Sequence, residues 1–307
     1  MSTTIGDLVP YASNDGVEIY YEVHGDPSAP VLMLVAGLGE QIGSVEFGLE
    51  QVKHFLAAGF RVVQVDSRDA GFSASFETAG RPDMDAALTA VMSGEAPTVP
   101  YTHFDMADDL IAIADHLGVD GVHLVGASVG GFIVRWAAIR HPDRVRSVTV
   151  VMSGSGAGFD DDGPQMDLST LDELLEEGDH RTTDAHIEHK VELWRRYWGS
   201  AVAFDEAWIT KAVTASVHRS YRPDGFLRQL TAAMAVGGLW EAQRAITQPT
   251  LVLQGTEDSV FGPDHAEGTA RQIPNAKLWL VEGMGHSMPL EIWEDMATRI
   301  ASLTATA

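Results

Sequence analysis

The sequence predicts an α/β fold, a mostly parallel twisted sheet flanked by helices and carrying an inserted helical cap, and three observations lead there. Apolar, β-branched runs of strand length alternate with longer stretches of helical pattern, the rhythm of βαβ units joined by right-handed crossovers. That alternation stops after Met152 and resumes only at Thr250, which marks an insert of about ninety residues. At 307 residues and 45% hydrophobic content, the chain can bury a full core, as one large domain or as a domain with an insertion.

Val17–Val23 is the first strand and the wholly apolar run Val31–Val35 the second. A helix over Glu46–Ala58 leads to strand Arg61–Asp66. Thr102 supplies a start signal for the helix through Asp105–Leu117, and Gly121–Val125 returns as a buried strand. Gly130–Ile139 is the next helix, ending near His141 and Pro142, and Val145–Met152 is the last strand before the insert. Beyond it lie strand Thr250–Gln254, helix Asp264–Gln272 announced by Pro263, strand Lys277–Val281 and helix Trp293–Leu303. Residues 1–156 and 249–307 are therefore expected to form the core, and 157–248 the cap. The insert reads as helical and holds four of the seven tryptophans, Trp194, Trp198, Trp208 and Trp240, with Tyr197, Phe204, Tyr221 and Phe226. Each of these aromatics alone can fill the insert's own core, but as a group some are expected to line a pocket against the sheet. Trp194, Trp198 and Trp240, with Met288 from the core, are the candidates.

Composition removes several classes of function. The longest apolar run, Val31 to Ala36, is far short of the roughly 20 residues a spanning helix needs. Met1–Pro10 has neither a basic residue nor an apolar segment and does not read as a secretory signal, so a cytoplasmic protein is expected. Without cysteine there is no disulfide framework, thiolate nucleophile or cysteine zinc site. A formal charge of -24, from 44 acidic against 20 basic residues, repels nucleic acid and anionic membrane surfaces. Asp160-Asp161-Asp162 fails the EF-hand spacing at Pro164 and Gln165 and reads as a solvated acidic loop. His186 and His189 lie three apart with no further ligand cluster, so no metal and no cofactor are expected. The sequence leaves the oligomeric state open.

The chemistry points to Gly126-Ala-Ser128-Val-Gly130, the chain's only G-x-S-x-G segment, set between a buried strand and a helix. A turn this sharp presents the serine hydroxyl, and side chains two before and two after it would clash, so glycines stand there. A serine becomes a nucleophile only when a base takes its proton, and that base needs an orienting acid. In nucleophile-elbow enzymes acid and base follow the serine on loops after late strands. Asp258 after Thr250–Gln254 and His286 after Lys277–Val281 fill those places. Glu257 is the adjacent rival, but a short acid at the loop tip suits the geometry better, and Asp264 lies too far into the next helix. Of the twelve histidines, only His286 lies in a glycine-flanked loop after a terminal strand. An oxyanion hole needs two converging N–H donors: Val129, next to the serine, and Leu38, in the glycine loop after Val31–Val35.

Five segments in chain order resemble the α/β-hydrolase superfamily over nearly the whole length: Gly37-Leu38-Gly39, Asp66 to Ser73, Gly126 to Gly131, Gly255 to Asp258, and Gly283-Met-Gly-His286. More narrowly, the chain is similar to actinobacterial carboxylesterases and the aclacinomycin methylesterase group, which carry similar D-x-R-D-x-G-x-S and G-M-G-H segments. The resemblance implies a core domain with a helical cap, cofactor-free ester hydrolysis, a bulky or lactone-like small-molecule substrate, and structural roles for Arg68 and Asp69. Many relatives have His-Gly before the oxyanion donor, whereas this chain has Ala36-Gly37. A serine at the elbow argues against the dehalogenase and epoxide-hydrolase relatives, and Gly126-Ala-Ser-Val-Gly130 differs from the G-G-S-W-G of proline iminopeptidases. Lactonases, carbon-carbon bond hydrolases and perhydrolases share the triad, and a binding protein with a vestigial triad is the alternative from another class.

Overall fold

The computed structural model describes residues 10–158, 161–177 and 181–304. Nearly all of the N-terminal segment read above, and Asp160 of the acidic triplet, lie outside the described residues. The strands are β1 (Tyr11–Asn14), β2 (Val17–His24), β3 (Val31–Val35), β4 (Arg61–Val65), β5 (Val122–Ala127), β6 (Val145–Val151), β7 (Thr250–Gly255) and β8 (Ala276–Val281). They form one sheet in the order β1-β2-β4-β3-β5-β6-β7-β8. From β4 onward every pairing is parallel, while β2 runs antiparallel to both β1 and β4. The β1–β2 hairpin turns on Asp15-Gly16, both with positive φ, as a tight two-residue turn between right-twisted strands requires.

The helices before the long connection are α1 (Leu49–Ala57), α2 (Met84–Met92), α3 (His103–His116) and α4 (Val129–Arg140). Those after it are α10 (Pro263–Gln272) and α11 (Trp293–Thr304). Central strands are buried on both faces, and their side chains sort by the two-residue period into two cores. Val31, Met33 and Val35 of β3 pack with Ile113 of α3 and Val134 of α4, whereas Leu32 and Leu34 pack with Phe55 of α1 and Met296 of α11. Between β6 and β7 lie α5 (Leu168–Glu177), α6 (Thr183–Tyr197), α7 (Glu206–Arg219), α8 (Pro223–Met234) and α9 (Leu239–Ala242). Helices α6 and α7 share a third apolar cluster containing Trp194, Trp198, Ile209 and Val213, to which Val45 is added from the loop after β3. Among the described residues, no helix is long and apolar enough to cross a membrane.

Two differences from the sequence reading bear on the site. The first helix begins at Leu49, because Glu46 belongs to the loop after β3 and turns its carboxylate inward. The helix after β5 begins at Val129, directly behind Ser128.

Candidate active site

Ser128 joins β5 to α4 with φ 50° and ψ −117°, a region that non-glycine residues enter only under constraint. Its N–H donates to Val151 O at 2.9 Å, and its carbonyl accepts from Gly131 N at 3.0 Å, which pins the turn to β6 and α4. A Cβ at Gly126 would lie 2.2 Å from Gly130 O, and one at Gly130 would lie 2.2 Å from Val35 O. Backbone meets backbone at both positions, so no side chain can be accommodated. Although Ser128 occupies the N-cap position of α4, its hydroxyl caps no N–H.

That hydroxyl stands 3.1 Å from His286 Nε2, and His286 Nδ1 stands 2.8 Å from Asp258 Oδ2. Asp258 is held as an acceptor on both oxygens. The Val260 and Phe261 N–H groups donate to Oδ1 at 2.8 and 2.9 Å, and Gln254 Nε2 donates to Oδ2 at 2.5 Å. A carboxylate so placed accepts a hydrogen bond from Nδ1–H, which keeps the ring proton on Nδ1 and leaves the Nε2 lone pair to face the serine. Burial opposes protonation of His286, but the Asp258 carboxylate and the charge of Glu46 outweigh it and raise its pKa above the ordinary 6.5. Glu257 points elsewhere, accepting from Ser200 N at 2.9 Å and Ser200 Oγ at 2.6 Å.

The loop carrying His286 is threaded through the end of α6. Ser200 N and Ala201 N donate to Gly283 O, Gly285 N donates to Trp198 O, and Ser287 Oγ donates to the same carbonyl. A Cβ at Gly285 would sit 2.1 Å from Tyr197 O, which explains the glycine before the histidine. Rings of Tyr197 and Phe261 flank the imidazole at 6.0 and 5.9 Å.

Facing the elbow is the loop after β3. Gly37 N donates to Glu46 Oε2 at 2.6 Å and Gly39 N donates to Gln229 Oε1, on α8, at 2.8 Å. Among the described residues, the Leu38 N–H between them has no acceptor, and neither does the Val129 N–H in the first turn of α4. The loop crosses close to the serine, since a Cβ at Gly37 would lie 3.1 Å from Ser128 Cβ. Two donors thus remain open next to one hydroxyl, the arrangement an oxyanion requires.

Of the four residues expected at a pocket, Trp194, Trp198 and Met288 stand in apolar packing clusters. Trp194 and Trp198 lie in the α6–α7 cluster, where Trp198 meets Phe204 and Trp208 edge-on. Trp240 packs toward Gly163 and Gly268 and donates to Asp162, and Met288 is in the core beside α11. The polar residues of Asp66 to Ser73 are engaged in holding the fold. Arg68 pairs with Asp109 at 2.7 Å, Asp69 accepts from Arg228 and Tyr101, and Asp66 accepts from Ile42 N and Phe72 N. His186 and His189 do not belong to a cluster of three or more potential metal ligands; among the described residues there is none.

Glu46, Gln229 and Gln254 escaped the sequence reading. Glu46 lies where the sequence pattern already reads as helix, and Gln229 reaches Gly39 across a separation of 190 residues that leaves no local signal. Gln254 ends a strand four residues before Asp258, where a glutamine attracts no notice.

Comparison with known proteins is consistent with this geometry. The model for the alpha/beta hydrolase fold family matches residues 30–291. Rhodomycin D methylesterase DnrP from Streptomyces peucetius is 28% identical over 96% of this chain and 97% of its own. Among solved structures, the enol-lactonase from Burkholderia xenovorans LB400 superposes with a TM-score of 0.71 at 20% identity, covering 96% of this chain and all of that one. A meta-cleavage product hydrolase from Pseudomonas fluorescens IP01 gives 0.69 at 19% identity, covering 96% of this chain and 97% of its own.

Proposed function

The chain belongs to the alpha/beta hydrolase fold family, and from that premise we propose that it hydrolyses a carboxylic ester of a small molecule through an acyl-enzyme on Ser128. The observation that carries this reading is the unbroken relay from Asp258 Oδ2 through His286 to an uncapped Ser128 hydroxyl. His286 Nε2 takes the hydroxyl proton as Oγ attacks the ester carbonyl, and the N–H groups of Leu38 and Val129 donate to the resulting oxyanion. As the tetrahedral species collapses, His286 gives its proton to the leaving alcohol. Water, deprotonated by His286, then attacks the acyl-enzyme, and the serine leaves with the proton returned. Asp258 holds the imidazole in the required tautomer throughout.

Esterase chemistry is favoured by the methylesterase relative, which matches along nearly its full length. A lactone is a cyclic ester and would follow the same steps. We read residues 157–248 as the cap that shapes the acyl and alcohol sites, with Trp194, Trp198 and Trp240 as its apolar framework and Met288 beneath it. The test is turnover of a nitrophenyl ester panel with a parallel lactone and a vinylogous 1,5-diketone, in wild-type protein and Ser128→Ala. Ester turnover that falls by about 10³-fold or more in the variant is expected. Turnover unchanged in Ser128→Ala, or no covalent adduct with a fluorophosphonate, would reject it.

A further inference from the structure

The relay leaves unused a second carboxyl group beside the same serine. Glu46 is only 4% exposed, and its Oε2 accepts the Gly37 N–H at 2.6 Å. Gly37 is wedged between this carboxyl and the nucleophile: its Cβ, were there one, would lie 2.8 Å from Glu46 Oε1 and 3.1 Å from Ser128 Cβ. Two residues further along, Gly39 N donates to Gln229 Oε1 at 2.8 Å. The peptide N–H groups before and after Leu38 are therefore both anchored, and the orientation of the Leu38 N–H follows from theirs. Ala36 offers no polar side chain for this purpose, so the bracing of the loop falls to Glu46 and Gln229.

We propose that Glu46 is a positioning residue for acyl transfer, which by accepting the Gly37 N–H fixes the Leu38 N–H toward the oxyanion. The proposal rests on the serine-hydrolase reading and adds to it a residue outside the triad. Three charged or titratable groups act on Glu46: Glu40 on its own loop, Lys190 from α6, and His286 from the loop after β8. Glu40 and Lys190 pair with each other at 2.7 Å, which offsets much of their combined field. Burial, with the charge of Glu40 added, pushes the Glu46 carboxyl up to about 7, while the Gly37 N–H, His286 and Lys190 oppose the rise.

Glu46→Gln and Glu46→Ala separate keeping the acceptor from losing it. The amide oxygen of glutamine still accepts the Gly37 N–H, whereas alanine leaves it loose. With p-nitrophenyl acetate, Glu46→Ala should lower kcat by about 10-fold or more with KM changed less than about 3-fold, since the donor acts on the transition state. Glu46→Gln should restore kcat to within about 3-fold of wild type, because the acceptor is kept. Wild-type kcat in Glu46→Ala, or a glutamine variant as slow as the alanine one, overturns the proposal. Should the alanine variant fail to fold, Glu46→Asp, whose carboxyl is one methylene short of the Gly37 N–H, takes its place with the same expected loss. Fluorophosphonate labelling of wild type against Ser128→Ala runs alongside, so that failure of the serine mechanism is recognised separately.

Discussion

At Asp258 the oxygen atoms are not equivalent, and that difference fixes what a conservative change would do. Oδ1 takes two backbone N–H donors, so in Asp258→Asn the amide oxygen is held at that position and the NH2 is turned toward His286 Nδ1 and Gln254 Nε2. The imidazole must then accept at Nδ1 and carry its proton on Nε2, where it cannot act as a base toward Ser128. Asp258→Asn should lower kcat by about 10³- to 10⁴-fold with a native circular dichroism spectrum, and Glu257→Gln by less than about 3-fold. Comparable losses from the two variants would contradict the relay described above. Ser128, Asp258 and His286 were legible in the sequence because each sits in a turn whose glycines are forced by backbone contact, and such turns leave a local pattern. Glu46 and Gln229 were not legible, because an ordinary helix-forming residue acquires its meaning only when distant loops meet.

Among the elements, α8 stands apart from its neighbours α6 and α7. Those two pack largely on each other, whereas α8 sends buried polar side chains into the core: Arg228 forks onto both oxygens of Asp69, and Gln229 bridges Gly39 N and Arg68 O. Asp69 is fully covered and also accepts from Tyr101 Oη and Phe76 N, so removal of the guanidinium strands a charge that water cannot reach. Arg228→Met should destabilise the protein by about 3–5 kcal/mol in urea unfolding, and the double variant with Asp69→Asn should recover part of that loss. A double variant no more stable than Arg228→Met alone would refute coupling between the two sites. The central strands and the helices packed on them could be read from the chain because they repeat a period of two or 3.6 over a buried face. Strand β1 has only Ala12 fully buried among its four residues, and α2 buries only Ala87, so neither carries a periodic apolar signal. Helices α5 to α9 were expected only as helical composition, since their partners are set by tertiary contact.

For the molecule as a whole, acid is the condition that divides its buried groups. His103, in the first turn of α3, is held neutral by burial and by the charge of Arg135, which lower its pKa from 6.5 to about 4. His123 is likewise lowered to about 4, chiefly by burial. Both bind a proton more readily in the unfolded chain, so the stability they confer is complete above pH 6.5 and is lost as pH falls toward 4. Glu46 acts in the opposite sense: its folded pKa of about 7 lies above the ordinary 4.5, so the folded state gains stability as pH falls through that window. His103 can be isolated from the others by a difference of differences. Its fully buried ring accounts for a loss of about 2 kcal/mol between pH 7 and pH 5, by the linkage between the two pKa values. His103→Leu should therefore lose about 2 kcal/mol less stability than wild type over that interval, whatever the substitution does to stability at pH 7. Urea unfolding of both proteins at the two pH values measures it, and equal losses in both would show that His103 does not carry the acid sensitivity.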